Sequence, residues 1–421
     1  MITVRQELKN FKDHLVYLCK WIGLGALCGV ISGFIAVAFY ICIKYATDFR
    51  TSHMKIVWAL PLAGLFIALI YQVIGRDSDA DKGTNIVIAS INSDEHMPKR
   101  TVLLIFVSSV ISHMFGASVG REGAALQMGA GIGQAFSELF HLNEPDRKII
   151  MICGMSGVFS ALFGTPVAAS VFAMEVISVG IMHYAALVPC AVSSVIALSI
   201  AKYFGVSFIS FNVKVIPQLT FYTAGMSALM GLICGILALL FCAMLMYSEE
   251  FLKSMFKTAY MRIFFAACVV VVLTVLFPGG QFNGAGTEYI AQSFAVRAVW
   301  YAFLIKMVFT AVSISGGFKG GEIIPSLFIG AVFGSFFSGV CSMPVGFCAA
   351  ICMICFFCGV TNCPIASIIM AAELFGAQCL LMLFPAVAVS YMISGYFSIY
   401  KSQKIVYSKY RSVFVDRKAK R

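Results

Sequence analysis

The residues of this chain best placed to do chemistry are Arg121 and Glu122. They stand together in the run Gly120-Arg121-Glu122-Gly123-Ala124-Ala125-Leu126-Gln127-Met128-Gly129-Ala130-Gly131-Ile132-Gly133. Long apolar segments flank this run, so it is expected at membrane depth. A charged side chain there costs about 2.5–3.5 kcal/mol even on the lenient insertion scale, and such residues face a pathway or a partner. Glycine at 120 and 123 leaves backbone amides uncovered, and the residues that follow can start a helix. A helix N-terminus with bare N–H groups is an anion site. A carboxylate in such a site acts as a tethered anion, and it takes a proton more readily once an arriving anion displaces it. The plainer alternative is that Arg121 and Glu122 neutralise each other while the glycines only pack helices.

The elements that hold this pair must be membrane helices. The chain has 421 residues, 60% hydrophobic and 12% charged, with mean hydropathy +0.93. A soluble chain carries about twice that charge, so the composition predicts an all-α polytopic membrane protein. Apolar runs lie near 21–46, 56–75, 101–118, 148–164, 166–201, 221–247, 261–277, 298–315, 323–341, 344–360 and 363–399. Several are too short or too long for one crossing of about 20 residues. Pro166, Pro325, Pro344 and Pro364 each open a helix-like run, the position where proline is tolerated. Polar loops at 76–82, 92–100 and 141–148 separate the runs, and a weaker divide lies near 212–219. The first apolar run, Trp21–Ala46, is too long for a cleavable signal and reads as a first transmembrane helix. No soluble domain is expected.

The net charge of +11 gathers near the ends. Lys9, Lys12 and Lys20 precede the first span, while Lys401, Lys404, Lys409, Arg411, Arg417, Lys418, Lys420 and Arg421 follow the last. The positive-inside rule puts both termini in the cytoplasm, with an even number of crossings between them. This charge needs no nucleic-acid partner. Fifteen cysteines are scattered through apolar runs and read as reduced core residues. Cys352, Cys355 and Cys358 share one apolar helix without a further ligand cluster, a poor fit to an iron–sulfur site. No metal or other cofactor is expected.

The chain repeats itself. Gly83-Thr84 returns 203 residues later as Gly286-Thr287, and Glu122 returns 200 residues later as Glu322, followed by Gly330-Ala331 where the first copy has Gly129-Ala130. Pro166 and Glu175 return 198 residues later as Pro364 and Glu373, with nine residues from proline to glutamate in both copies. Three echoes in one order predict two repeats, 1–215 and 216–421. Broken helices in such halves build transport sites near the bilayer midplane.

These residues resemble the CLC family of chloride channels and chloride/proton antiporters. The likeness rests on Gly120-Arg121-Glu122-Gly123, on Gly154-Met155-Ser156-Gly157 through Pro166, and on Gly316–Pro325 with Gly330-Ala331. It implies a CLC-like fold of two inverted-topology repeats with broken and re-entrant helices. It also implies a homodimer with one pathway per subunit. By resemblance the anion meets Gly83, Thr84 and Asn85, then Gly123, then Ile323 and Ile324, and a tyrosine matched here by Tyr407. Glu122 takes the family's place of gate and proton carrier, and Arg121, Lys319 and Glu322 fall on the pathway's borders. The run Gly316-Gly317-Phe318-Lys319-Gly320-Gly321-Glu322 and the Gly-x-Asn first filter resemble the fluoride-exporting branch, whereas Thr84 keeps a hydroxyl as chloride members do. The inner glutamate of chloride antiporters falls on Val176, which fits that branch. The resemblance therefore implies fluoride export coupled to proton import in the plasma (inner) membrane of a bacterium. A chloride/proton antiporter or a passive chloride channel are the nearer alternatives.

Each residue has a plainer reading. Thr84 and Asn85 could cap a helix, Tyr407 could anchor at the interface, and Lys319 could pair with Glu322. Glu175 and Glu373 suit structural hydrogen bonding because they occupy matched places in the repeat. His113 and His183 suit core or interface bonds more than proton transfer, and Lys306 suits a snorkelling or paired lysine. A rival of another class is an intramembrane serine protease of the rhomboid kind, with Ser156 of Gly154-Met155-Ser156-Gly157 as nucleophile and His183 as base.

Overall fold

A computed structural model describes residues 4–75, 83–93, 97, 98, 100–208, 211 and 213–419, apart from the side chains of residues 4–10. The expected loop 76–82, Asp94–His96, Lys99, Asn212, the Lys9 side chain, Lys420 and Arg421 lie outside the described residues.

Among the described residues the chain forms sixteen α-helices, in two runs of eight. The first run is α1 (Val4–Ser52), α2 (Leu60–Ile70), α3 (Thr84–Asn92), α4 (Thr101–Phe115), α5 (Glu122–Leu139), α6 (Glu144–Phe163), α7 (Pro166–Glu175) and α8 (Leu187–Tyr203). The second is α9 (Phe221–Met255), α10 (Ala259–Leu276), α11 (Thr287–Ser293), α12 (Ala302–Gly316), α13 (Ile323–Cys341), α14 (Val345–Thr361), α15 (Pro364–Phe375) and α16 (Leu380–Ile393). Packing follows the same rule in both runs. Where α1 lies on α8 and α5 on α6, α9 lies on α16 and α13 on α14. Six helical stretches among the described residues are long and apolar enough to cross a membrane.

Equivalent elements meet head to tail, as inverted repeats require. Gly120 and Gly321 form an antiparallel bridge and exchange two backbone hydrogen bonds, of 2.7 and 2.8 Å. The carboxylate of Glu373, in the last turn of α15, accepts the Val167 and Ala168 N–H groups at 3.0 and 2.8 Å. The carboxylate of Glu175, which ends α7, accepts the Ile365 and Ala366 N–H groups at 3.1 and 2.7 Å. Each glutamate thus satisfies the orphan donors at the start of the other half's helix.

Two features differ from the sequence expectation. The first helix starts at Val4 rather than Trp21. No glycine or proline interrupts residues 4–20, so nothing stops the helix earlier. At 1.5 Å per residue its 49 residues run about 74 Å, more than twice the hydrocarbon core, so part of it stands outside the bilayer. The long runs 166–201 and 363–399, expected to be too long for one crossing, each divide into two helices, α7 with α8 and α15 with α16. The chain is also not wholly helical. β1 (Ser178–Val179) pairs in parallel with β2 (Lys404–Tyr407), which pairs antiparallel with β3 (Phe414–Lys418). Both strands after α16 carry residues that favour strands, the β-branched Ile405-Val406 in β2 and Phe414-Val415 in β3.

One apolar core runs through both halves. α14 is apolar on all sides and buried from Phe347 to Thr361, the pattern of a helix with no lipid- or water-facing stripe. All fifteen cysteines are free thiols, and Cys352, Cys355 and Cys358 are buried along α14.

Candidate anion site

Three helices begin at one place. Gly83, with φ 58°, precedes α3; Arg121 precedes α5; Glu322 precedes α13. First-turn N–H groups have no partner within their own helix, so each start presents bare donors and the positive end of a helix dipole. The three starts touch through glycine. A Cβ on Gly123 would lie 2.7 Å from the Gly321 Cα and 3.1 Å from the Thr84 Oγ1, and one on Gly321 would lie 2.3 Å from the Gly123 nitrogen. Only hydrogen fits at these positions, and that lets the dipoles of α5 and α13 converge.

Glu122 opens α5 and is 1% exposed. Its carboxylate folds back over Gly120, where a Cβ would meet Oε2 at 2.7 Å. Oε1 lies 3.4 Å from the Arg121 Nε, yet neither carboxylate oxygen accepts a hydrogen bond. The ion pair is therefore loose. Arg121 also donates from Nη2 to the Leu162 carbonyl at 3.3 Å, and its guanidinium lies 5.3 Å from the Tyr40 ring centroid. A buried carboxylate whose oxygens lack donors is costly to keep. Mutual neutralisation alone would predict the close, bidentate geometry that arginine can supply. Arg121 and Glu122 line a cleft whose other walls include Leu162, Phe211, Ile290 and Ile324.

Thr84 is buried and its hydroxyl donates to the Gly123 carbonyl at 3.4 Å. It does not cap its own helix, because Gly83 takes the cap position without a side-chain bond. Asn85 accepts the Ser402 N–H on its Oδ1 at 3.0 Å. Ile323 and Ile324 are buried in the first turn of α13. Lys319 is 8% exposed and places its Nζ 4.5 Å from the Tyr71 ring centroid. Glu322 is half-buried, and its carbonyl accepts the Ser326 N–H and hydroxyl at 2.9 and 2.7 Å.

The fold thus gathers Gly83, Thr84, Gly123, Ile323 and Ile324 around Glu122. It does not gather Tyr407, which stands on β2, is 45% exposed and packs edge-on against Phe414 at 5.9 Å. The tyrosine that the fold buries after α16 is Tyr400, 1% exposed. The match on Ile405-Val406-Tyr407-Ser408 fell on a strand whose tyrosine is exposed, while Tyr400, seven residues earlier, follows the buried Ile399.

The plainer readings fare differently. Lys306 is fully buried and donates to the Phe282 and Gly284 carbonyls at 3.0 and 2.7 Å, so it staples a loop rather than snorkelling. His113 donates from Nδ1 to the Ser109 carbonyl at 2.8 Å, one helical turn back. Ser156 bonds the Ser170 hydroxyl and the Cys190 carbonyl, at 3.3 and 3.1 Å. Neither partner is a base, as a serine nucleophile requires. Sequence reasoning missed the polar stripe on α12. Lys306, Thr310 and Ser313 fall at helical spacing, and the last two hold Ser118, two residues before Gly120, through bonds of 3.0 Å each. Three polar residues on one face of an apolar helix were visible in the sequence.

Two inverted halves of broken helices, meeting where helix N-termini surround a buried glutamate, define a membrane transporter of anions. The chain belongs to the CLC family: residues 63–395 match the family described as voltage gated chloride channel. It is 33% identical to a "Chloride/fluoride channel protein" of Pseudomonas syringae pv. tomato, over 94% of this chain and 89% of that protein. It is 26% identical to the H(+)/Cl(-) exchange transporter ClcA of Cronobacter sakazakii, over 81% of this chain and 76% of that one. Its fold is similar to the crystal structure of a CLC-type fluoride/proton antiporter, with TM-score 0.88 and 30% identity, covering 92% of this chain and 98% of that one.

Proposed function

We propose that this protein exports fluoride in exchange for protons, with Glu122 as gate and proton carrier. The observation that carries the reading is the Glu122 carboxylate, buried at the start of α5 with neither oxygen accepting a hydrogen bond. A site of converging N-termini suits a halide and a carboxylate alike, so the two compete for it. Displaced from those donors, the carboxylate takes a proton, and anion occupancy becomes linked to proton uptake. Fluoride is small and strongly hydrated, so its site must offer strong donors: the first-turn amides of α5 and α13, the Thr84 hydroxyl and the Asn85 amide. The likeness to a "Chloride/fluoride channel protein" and to a fluoride/proton antiporter supports fluoride over chloride. The homodimer with one pathway per subunit, the repeats 1–215 and 216–421, the cytoplasmic termini and the bacterial plasma membrane belong to the same proposal.

Anion efflux from liposomes, comparing fluoride with chloride while external pH is recorded, tests it. Fluoride is expected to leave faster than chloride and to drive proton movement the opposite way. Chloride efflux at or above that of fluoride would favour the chloride/proton exchange that the name of the Cronobacter sakazakii relative describes.

A further inference from the structure

Asn85 is the second residue of α3, next to Thr84 at the helix start. Its Oδ1 accepts the Ser402 backbone N–H at 3.0 Å. A backbone N–H can only donate, so the carboxamide oxygen must face Ser402 and the amide nitrogen must turn away from it. That nitrogen donates to no described residue. It is a spare pair of donors at one of the three helix starts.

Ser402 is held from several directions. It lies in a turn closed by the Gln403 N–H on the Tyr400 carbonyl at 3.2 Å. Its carbonyl lies 3.5 Å from the Nδ2 of Asn92, the last residue of α3, so both ends of that nine-residue helix reach it. Gln403 is fully buried and saturated. Its Nε2 donates to the Val176 and Thr361 carbonyls at 2.9 Å each, and its Oε1 accepts from the Asn362 Nδ2 at 3.1 Å. The Gln403 carbonyl accepts the Ala419 N–H at 2.8 Å, which ties in the end of the hairpin. Lys409 locks the far side, donating to the Asn362 Oδ1, to the Tyr391 carbonyl at 2.9 Å and to the Ser394 hydroxyl at 3.1 Å. A segment beyond the last helix thus splints α3 against the ends of α7 and α14.

We propose that residues 400–403 form a selectivity splint, in which the Ser402 N–H orients Asn85 so that its amide N–H groups face the anion, and Gln403 keeps Ser402 in place. The inference rests on the fluoride-export reading above. Asn85 belongs to the anion site proposed above; what is new is that Ser402 and Gln403 are positioning residues that act through it. A donor held in one orientation favours the small anion, which gains most from a short hydrogen bond and tolerates misplacement least. An untethered carboxamide could rotate and present its oxygen to the anion instead.

The test measures the fluoride-to-chloride rate ratio of purified, reconstituted protein. Wild type lacking a fluoride preference sinks the fluoride reading itself, and leaves halide transport standing. If wild type prefers fluoride, the splint predicts that Asn85→Leu and Asn85→Asp both lower the ratio by about tenfold, since Asp keeps the acceptor for Ser402 but loses the donors. Gln403→Met, which lines no part of the cleft, is expected to lower it about threefold or more. Combined with Asn85→Leu it should add nothing, because the two act in series. A merely structural Gln403 would lower yield or both rates together and leave the ratio unchanged. An unchanged ratio in folded Gln403→Met, or additive effects in the double variant, overturns the splint. Should Gln403→Met fail to fold, Gln403→Glu replaces it, keeping the acceptor for Asn362. Retention of the fluoride preference in Asn85→Asp overturns the proposal independently of either.

Discussion

At the scale of the residue, Glu122→Gln separates the two roles open to Glu122. Glutamine has nearly the same shape but holds no negative charge and binds no proton near neutral pH. If Glu122 served only to balance Arg121, the variant would leave a buried guanidinium without its counter-charge and the fold would suffer. The geometry points the other way. The pair meets at 3.4 Å, and Arg121 already has the Leu162 carbonyl and the Tyr40 ring. The variant is therefore expected to fold, and to lose proton movement driven by an anion gradient. Proton flux recorded in liposomes, beside the elution profile of the purified variant, decides the matter. A well-folded Glu122→Gln protein that still pumps protons against an anion gradient would remove Glu122 from the gate. This residue was legible in the sequence, because a carboxylate among glycines in an apolar stretch has few structural uses. Tyr400 was not, because an apolar-flanked tyrosine looks like any other core aromatic until the fold shows which one is enclosed.

At the scale of the element, the fold depends on helix ends that meet across the pseudo-two-fold axis. Glu175 and Glu373 each accept two backbone N–H groups of the opposite half. Removing either carboxylate strands two donors, at about 1–3 kcal/mol for each one that stays buried. Glu175→Ala is expected to lower the unfolding temperature in detergent more than Glu373→Ala, because Glu175 is 8% exposed and Glu373 is only half-buried. Equal shifts, or none, would mean that water replaces both caps. The glycines give a sharper contrast. Gly321→Ala places a methyl 2.3 Å from the Gly123 nitrogen, whereas a methyl on Gly225, in the exposed part of α9, meets nothing within 4 Å. Gly321→Ala should cost several kcal/mol or prevent assembly, and Gly225→Ala should be neutral or stabilising by up to about 1 kcal/mol. Thermal unfolding of both variants checks the pair. The repeat that places these elements could be read from Gly83, Glu122, Pro166 and their echoes. The α3 splint could not, because Asn85 and Ser402 lie 317 residues apart and only the folded chain joins them.

At the scale of the whole molecule, composition settled the membrane class, while the terminal hairpin escaped the sequence reading because its lysines and arginines read as a short basic cytoplasmic tail. That hairpin carries Lys404, Lys409, Arg411, Arg417 and Lys418, and the first helix carries Lys12 and Lys20 near its start. Basic residues stay on the cytoplasmic side of a membrane, so both ends should face the cytoplasm. The cysteines make this testable without new chemistry. Cys19 is the one exposed thiol of the fifteen; Cys42 and Cys268 are half-buried and the rest are buried. Its neighbour Lys20 pairs with Asp146, which marks this turn of α1 as water-facing rather than lipid-facing. A membrane-impermeant maleimide is therefore expected to label the protein in inside-out vesicles and to spare it in right-side-out ones, with Cys19→Ser abolishing the signal. In that background Ser412→Cys, at the exposed tip of the hairpin between β2 and β3, should restore labelling from the same side. Labelling of the two positions from opposite sides would require an odd number of crossings, and the two halves could not then both span as proposed. Labelling of both from the outside would keep the fold but reverse its orientation, and the direction of export assigned to the transporter would reverse with it.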